Sequence, residues 1–435
     1  MTLTRQRTFV GFGFGAIQAG LYLYEAQRSG AFERLVVAYR REEVIAHVRA
    51  AKRMIALNIA QREGIETVKI GPIEMLDVNV AAEREHITEA VAEASDVAVA
   101  VSSVNDYISQ GPESLHRLLA EGLKRKTASS PKAVIYASEN HTQAAQMLES
   151  AVLSAVPRNE HRSVAKKTYF VNTVIGKMSR TVRGLEEIGE LSLEPITPKS
   201  DRAFLVEHYR HILISKVTFP DSQPFRRGLT SLTEKDDLTP FEDAKLYGHN
   251  AIHALAAYLG TLLGATYIAE LAGVPGFLPF LRAAALEESG AALVCKHGSA
   301  DPMFTKRGYE DFMDTLLSRM LNPYLKDTVT RVGRDAPRKL GWDDRLVGTV
   351  RLVLREGLEP HRFTLGIAAA LRTEGLGLDG LLELWKGDEP DRDEQRTVLN
   401  FIEEGTDNLE AWQSAGCPPL EPFMQTRTSG REEKR

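Results

Sequence analysis

The chain has 435 residues, 43% of them hydrophobic, which is more apolar side chain than one core normally holds; two domains are expected and wholesale disorder is excluded. A formal net charge of −5 argues against general affinity for nucleic acid or acidic membranes, so any anion-binding site must be local. The two cysteines, Cys295 and Cys417, lie far apart and match no metal-ligand spacing, which speaks against a zinc site or disulfide framework and fits a reducing cytoplasm.

The first half alternates short β-branched runs with helical stretches, the rhythm of a parallel sheet covered by helices. Strands are expected at Thr8–Phe12, 35–39, 96–101, Ala133–Ala137 and 169–174, with 66–70 as a weaker one. Residues 16–29 and 84–94 carry apolar side chains at three- and four-residue spacing, as amphipathic helices do. A loop with Pro220, Pro224 and Gly228 spans 219–228, just upstream of a change to long helices at 241–263, 279–289, 310–320, 346–356 and 396–403. The expected architecture is therefore α/β plus all-α: a Rossmann-type, doubly wound dinucleotide-binding domain over 1–230, then a mainly helical substrate and catalytic domain over 231–435. The uncharged stretch 254–269 is shorter than the ~20 residues a bilayer crossing needs and reads as a buried helix, so a soluble protein with no membrane partner is expected. The tail 426–435 is polar and expected to fray.

Strand Thr8–Phe12 runs straight into Gly13-Phe14-Gly15-Ala16-Ile17-Gln18-Ala19-Gly20 and an apolar helix. Gly13 permits a tight turn and Gly15 a close approach of pyrophosphate to the backbone, while Ala16 and Ile17 open a helix whose free N–H groups and dipole favour an anion. Gln18 stands where the usual third glycine would be, and Gly20 is a candidate to relieve helix–strand packing instead. The second strand ends in Tyr39-Arg40-Arg41 rather than in the acid that accepts hydrogen bonds from a free ribose. Two guanidiniums there would suit a 2′-phosphate with Tyr39 stacked on adenine, and a solvated charged turn is the alternative, so NAD and NADP both remain open.

In the second half, Lys245, Asn250 and His253 share one helix. At about 100° per residue, His253 lies ~80° and Asn250 ~140° around the axis from Lys245, so the three can border one broad pocket. Spacing alone justifies little, because a lysine at a helix start is usually solvated and His253 is compatible with a hydrogen-bonded core histidine. The wording Lys-Leu-Tyr-x-His-Asn-x-x-His-Ala, however, resembles the polyol-specific long-chain dehydrogenases, the mannitol dehydrogenase family, and within it the branch acting on mannitol 1-phosphate. Ser138-Glu139-Asn140, the block 170–178, the segment 322–327 and the basic segment 331–340 resemble further family blocks in the same order.

The resemblance implies a substrate cleft between the two domains and reversible hydride transfer between NAD or NADP and a secondary alcohol of a polyol or polyol phosphate. Lys245 would be the general acid/base, Asn250 and Asn140 amide donors to the reacting oxygen, and His253 the orienting group. No metal is implied, because lysine does the work of zinc, and His249, four residues from Lys245, is implied only as a supporting neighbour. Arg331 and Lys339 reproduce the family's substrate-contacting pair; with Arg334, Arg338 and Arg345 they form a basic cluster that grips substrate or is a solvated face paired with Asp335, Asp343 and Asp344. Gly176 and Lys177 depart from the family's Asp-Arg, which leaves space for a bulkier or negatively charged substrate. A reductase of keto-sugar acids and a non-catalytic NAD(P)-binding sensor are the competing readings. The partner expected is a small molecule, bound by a monomer or small homo-oligomer.

Overall fold

The computed structural model describes residues 7–219 and 225–423. The tail 426–435 and part of the loop expected at 219–228 lie outside the described residues. Two compact units divide between Thr239 and Pro240.

Among its described residues the first unit contains twelve strands: β1 (Thr8–Phe12), β2 (Arg34–Tyr39), β3 (Ile55–Ala60), β4 (Ile65–Ile70), β5 (Ile73–Asp77), β6 (Ala94–Val99), β7 (Ala133–Ala137), β8 (Thr168–Val174), β9 (Ser179–Arg183), β10 (Arg202–Glu207), β11 (Ile212–Ser215) and β12 (Leu232–Lys235). Eight form one sheet in the order β12-β11-β8-β7-β6-β1-β2-β5. The six from β5 to β8 are mutually parallel and follow the doubly wound order that reverses direction at β1, the switch point where such sheets bind ligands. Strands β1 and β7 are buried along their whole length, as a sheet covered on both faces requires. The expected strand 96–101 ends earlier, at Val99, because the Val101 amide leaves the ladder for Glu139 Oε1 at 2.9 Å.

The other four strands form a separate sheet, β4-β3-β10-β9, of which only β4 is expected from the sequence. The weak strand at 66–70 exists as β4 but belongs here. Strand β3 was obscured by its composition, Ile-Ala-Leu-Asn-Ile-Ala. Its buried Asn58 is tolerated because the side chain donates to the Glu194 and Phe204 carbonyls at 2.9 and 3.0 Å and accepts from the Glu194 amide at 2.9 Å.

The second unit is helical, and among its described residues the only β pairing is an isolated bridge between Tyr267 and Thr328. The expected helix 241–263 has three parts: an α-turn at Thr239–Asp243, an i→i+5 π-helical segment at Ala244–Asn250, and an α-helix at Ala251–Leu262. The expected helix 279–289 likewise runs from α (Phe277–Ala283) into π (Ala284–Gly290). Both π segments meet Tyr309 of the helix Lys306–Met320. A Cβ on Gly248 would stand 2.5 Å from the Tyr309 hydroxyl, and one on Gly290 2.6 Å from its ring. The helices His361–Glu374 and Arg392–Ser414 cross closely at Gly405, where a Cβ would lie 2.6 Å from the Thr364 backbone. Among the described residues no helix is long and apolar enough to cross a membrane; the stretch beginning at Ala254 is a buried helix.

Candidate functional site

In the first unit, candidate residues gather at the carboxyl ends of the parallel strands. Gly13 adopts φ +90°, and a Cβ there would stand 2.3 Å from the Ala100 carbonyl oxygen, so only glycine makes this turn without a clash. Gly15 faces open space, and the helix begins at Ala16, whose first-turn amides have no acceptor within the helix. These are the features a pyrophosphate needs: a backbone it can approach and N–H groups directed at it. Gln18 is fully buried, with its amide over Gly11 of β1, where a Cβ would lie 2.1 Å from Nε2. The missing third glycine is thus compensated by a glycine on the strand beneath. Gly20 does relieve helix–strand packing, but against β10 of the small sheet, since its Cβ would stand 2.4 Å from Val206 Cγ1.

At the end of β2, the half-buried Tyr39 packs on Phe14, with ring centroids 5.7 Å apart. Arg40 and Arg41 are both exposed, and among the described residues neither forms an ion pair or a side-chain hydrogen bond. Asp77, in register with Tyr39 on β5, accepts at Oδ1 from the Asn79 amide and side chain at 2.8 and 2.9 Å. Past β7, the buried Glu139 accepts from the Val101 and Ser138 amides and from the Tyr107 hydroxyl, which pins the turn that carries the exposed Asn140. Burial raises the Glu139 carboxyl, and these donors act in the opposite sense. Past β8, Gly176 is half-buried and Lys177 is buried, its ammonium donating to the Tyr209 carbonyl at 2.9 Å.

In the second unit, Lys245 and Asn250 both lie in the π segment, and His253 follows one turn on. The uniform 100° rotation expected from sequence does not apply here. With i→i+5 bonding, residues five apart sit a little over one turn from each other, so Asn250 lies nearer to the face of Lys245 than an α-helix would put it. The partly buried Asn250 has no side-chain hydrogen bond among the described residues. Burial first, and then the Arg345 guanidinium, push the Lys245 ammonium down to about 8, while Glu242 pulls the other way. The buried His249 lies well below the usual histidine range because of burial first and then nearby basic groups, Arg319 foremost; its ring centroid is 6.3 Å from that of His253.

Later segments of the chain complete the cluster. Tyr247 donates from its hydroxyl to the Asp343 carbonyl at 3.2 Å, and the Thr349 hydroxyl stands 3.3 Å from the Tyr247 carbonyl and 2.6 Å from that of Arg345. These bonds anchor the lysine-bearing helix to the segment that carries Arg345. The basic cluster expected at 331–345 divides. Arg338 pairs with Asp335 at 2.5 Å and Arg345 with Asp344 at 2.7 Å, whereas Lys339 is 3% exposed with no carboxylate partner among the described residues. Burial, then Arg345 and Arg338, bring the Lys339 ammonium down to about 8. Arg331 instead pairs with the buried Asp327 at 2.6 Å. Among the described residues no three or more His, Cys, Asp or Glu gather as metal ligands.

Residues 7–226 match the mannitol dehydrogenase Rossmann domain and residues 237–374 the mannitol dehydrogenase C-terminal domain. The chain belongs to the mannitol dehydrogenase family. Within that family it is 31% identical to mannitol-1-phosphate 5-dehydrogenase of Bacillus velezensis over 312 residues, covering 71% of this chain and 73% of that protein. It is 30% identical to the enzyme of the same name from Bacillus pumilus over 363 residues, covering 83% and 86%. Among solved structures its fold matches a D-sorbitol dehydrogenase in substrate-free form, with TM-score 0.74, 13% identity and coverage of 97% and 95%. It also matches Pseudomonas fluorescens mannitol 2-dehydrogenase in ternary complex with NAD and D-mannitol, with TM-score 0.68, 16% identity and coverage of 98% and 95%.

In this member of the mannitol dehydrogenase family, Asp327 and Arg319 carry no expected role from the sequence, and Arg345 stands there only as part of a basic run. The i,i+4 spacing of Asp327 and Arg331 is the one local signal that could have exposed the first. Arg319 and Arg345 reach the lysine and histidine only through tertiary packing.

Proposed function

We propose that the chain interconverts a polyol phosphate and the corresponding ketose phosphate, using NAD or NADP, with Lys245 as the proton-transferring group. The observation that carries this reading is a lysine whose ammonium is brought down to about 8 among other cations, so that both protonation states are accessible near neutral pH. In the oxidation direction, neutral Lys245 takes the hydroxyl proton of the reacting carbinol. In reduction, its ammonium returns that proton. The amides of Asn250 and Asn140 donate to the oxygen as negative charge develops, at a worth of roughly 2.7–4 kcal/mol per donor in comparable sites. His253 orients the carbinol. Arg331 and the buried Lys339 hold the phosphate or the hydroxyl chain, which suits an anionic substrate in a region of excess positive charge.

The dinucleotide, held by the Gly13–Ile17 turn, supplies the hydride acceptor or donor. The exposed guanidiniums of Arg40 and Arg41, unpaired among the described residues, and the lack of an acid at the end of β2 favour NADP through its 2′-phosphate. The test is absorbance loss of NADH or NADPH with ketose phosphates, free ketoses and keto-sugar acids. Turnover of a ketose phosphate, faster with NADPH, is the expected result. Turnover of keto-acids alone would transfer the reading to a sugar-acid reductase, and dinucleotide binding without any turnover would point to a sensor.

A further inference from the structure

Asp327 lies just ahead of the short helix Val329–Gly333 and is 5% exposed. Its backbone carbonyl accepts from the Ile268 amide at 2.9 Å, which fixes the residue in place. Its two carboxylate oxygens face different groups. Oδ1 accepts from Arg331 Nε at 2.6 Å, with Nη2 at the same distance, while Oδ2 stands 3.4 Å from Nε2 of His253. Among the described residues neither Oδ2 nor His253 Nε2 has any hydrogen-bond partner, and both atoms are buried. Two orphaned polar atoms that face each other at this distance are one small ring rotation from a hydrogen bond, and burial leaves them no cheaper way to be satisfied.

We propose that Asp327 is a positioning residue that couples Arg331 to His253 and fixes which ring nitrogen of His253 is presented to substrate. This rests on the polyol reading of the site. An ionised carboxylate only accepts, so the imidazole nitrogen facing Oδ2 carries the proton. Neutral His253 is then the Nε2–H tautomer, and its other nitrogen, Nδ1, is an acceptor. Ionisation of Asp327 is favoured in place: burial pushes its carboxyl up, but His253 and Arg331 outweigh that and hold it below the usual range. The division of labour follows. Asn250 donates to the reacting oxygen, whereas His253 accepts from a substrate hydroxyl, and the same carboxylate aims Arg331 from the neighbouring helix.

The decisive measurement is a long-range 15N–1H correlation spectrum of the 15N-histidine-labelled full chain above neutral pH, with the His253 signals identified by their loss in His253→Gln. The Nε2–H pattern is expected, and an Nδ1–H pattern in the unmodified protein would overturn the proposal. Asp327→Asn places an amide donor within reach of the ring. It should switch the tautomer and raise the polyol KM at least tenfold, with dinucleotide affinity little changed. An unaltered tautomer and KM in that variant would equally overturn it. The spectrum of the unmodified chain decides even where the variant fails to fold. It also needs no turnover, so a chain inactive on every polyol would remove the proposed reaction and leave this assignment to be judged separately.

Discussion

The glycine turn of the first unit and the lysine helix of the second share a local device, since each runs into a π-helical segment, Gln18–Leu23 and Ala244–Asn250. They use it differently. The first is built of backbone, and under the proposed reading it is this that meets the dinucleotide: what matters is that Gly13 can turn and that the first helix amides have no acceptor within the helix, so Gln18 replaces a glycine once Gly11 makes room beneath it. The second offers side chains, and their chemistry is set by groups far along the chain, with Arg345 acting on Lys245 and Asp327 lying between His253 and Arg331. Recognition by backbone tolerates a changed side chain if the packing is repaired. A site built of side chains depends on identity and tertiary position together.

That contrast can be broken or sharpened by experiment. Lys245→Ala should lower turnover by about a hundred- to ten-thousand-fold, the range of general acid–base catalysis, while dinucleotide affinity measured by fluorescence titration stays within twofold. A comparable loss of dinucleotide affinity would erase the separation between the two regions. Replacing Arg40 and Arg41 with serine should weaken NADP by about 10- to 100-fold, the worth of charge-assisted hydrogen bonds, and leave NAD nearly unaffected. Equal weakening of both cofactors would overturn the 2′-phosphate reading, and no weakening of either would make the pair a solvated turn. Gly405→Ala should destabilise the helical unit by about 1–3 kcal/mol in calorimetry or denaturant unfolding, because its Cβ would meet the Thr364 backbone at 2.6 Å.

The pH dependence is the mildest of these tests. With Lys245 near 8, kcat/KM for oxidation should fall about tenfold per pH unit as pH drops below 8, because the ammonium cannot accept a proton. Reduction should show the mirror image and decline above 8. Arg345→Gln removes one of the two influences that lower Lys245, so both limbs should move to higher pH; unmoved limbs would assign the depression to burial alone.

The parallel core of the first unit was legible because strand, turn and helix are contiguous there: β1 and β7 fall on the expected residues, and the Gly13 turn follows β1 directly. The small sheet was not legible, because β3 carries a buried asparagine whose partners, Glu194 and Phe204, lie more than a hundred residues away. In the second unit Lys245, Asn250 and His253 could be named from their order and wording, but not their geometry. A π turn is set by what packs against it, here Tyr309 against Gly248 and Gly290.

The sequence by itself thus determined the alternation of strands and helices, the glycine turn, the family and the lysine with its neighbours, since each is written in residues close along the chain. Only the tertiary structure decided that Asp327 stands between His253 and Arg331, that Lys339 is buried with no carboxylate partner among the described residues, and that Arg345 acts on Lys245. Burial and charge act through space, and the distances that govern them do not exist until the helices have packed.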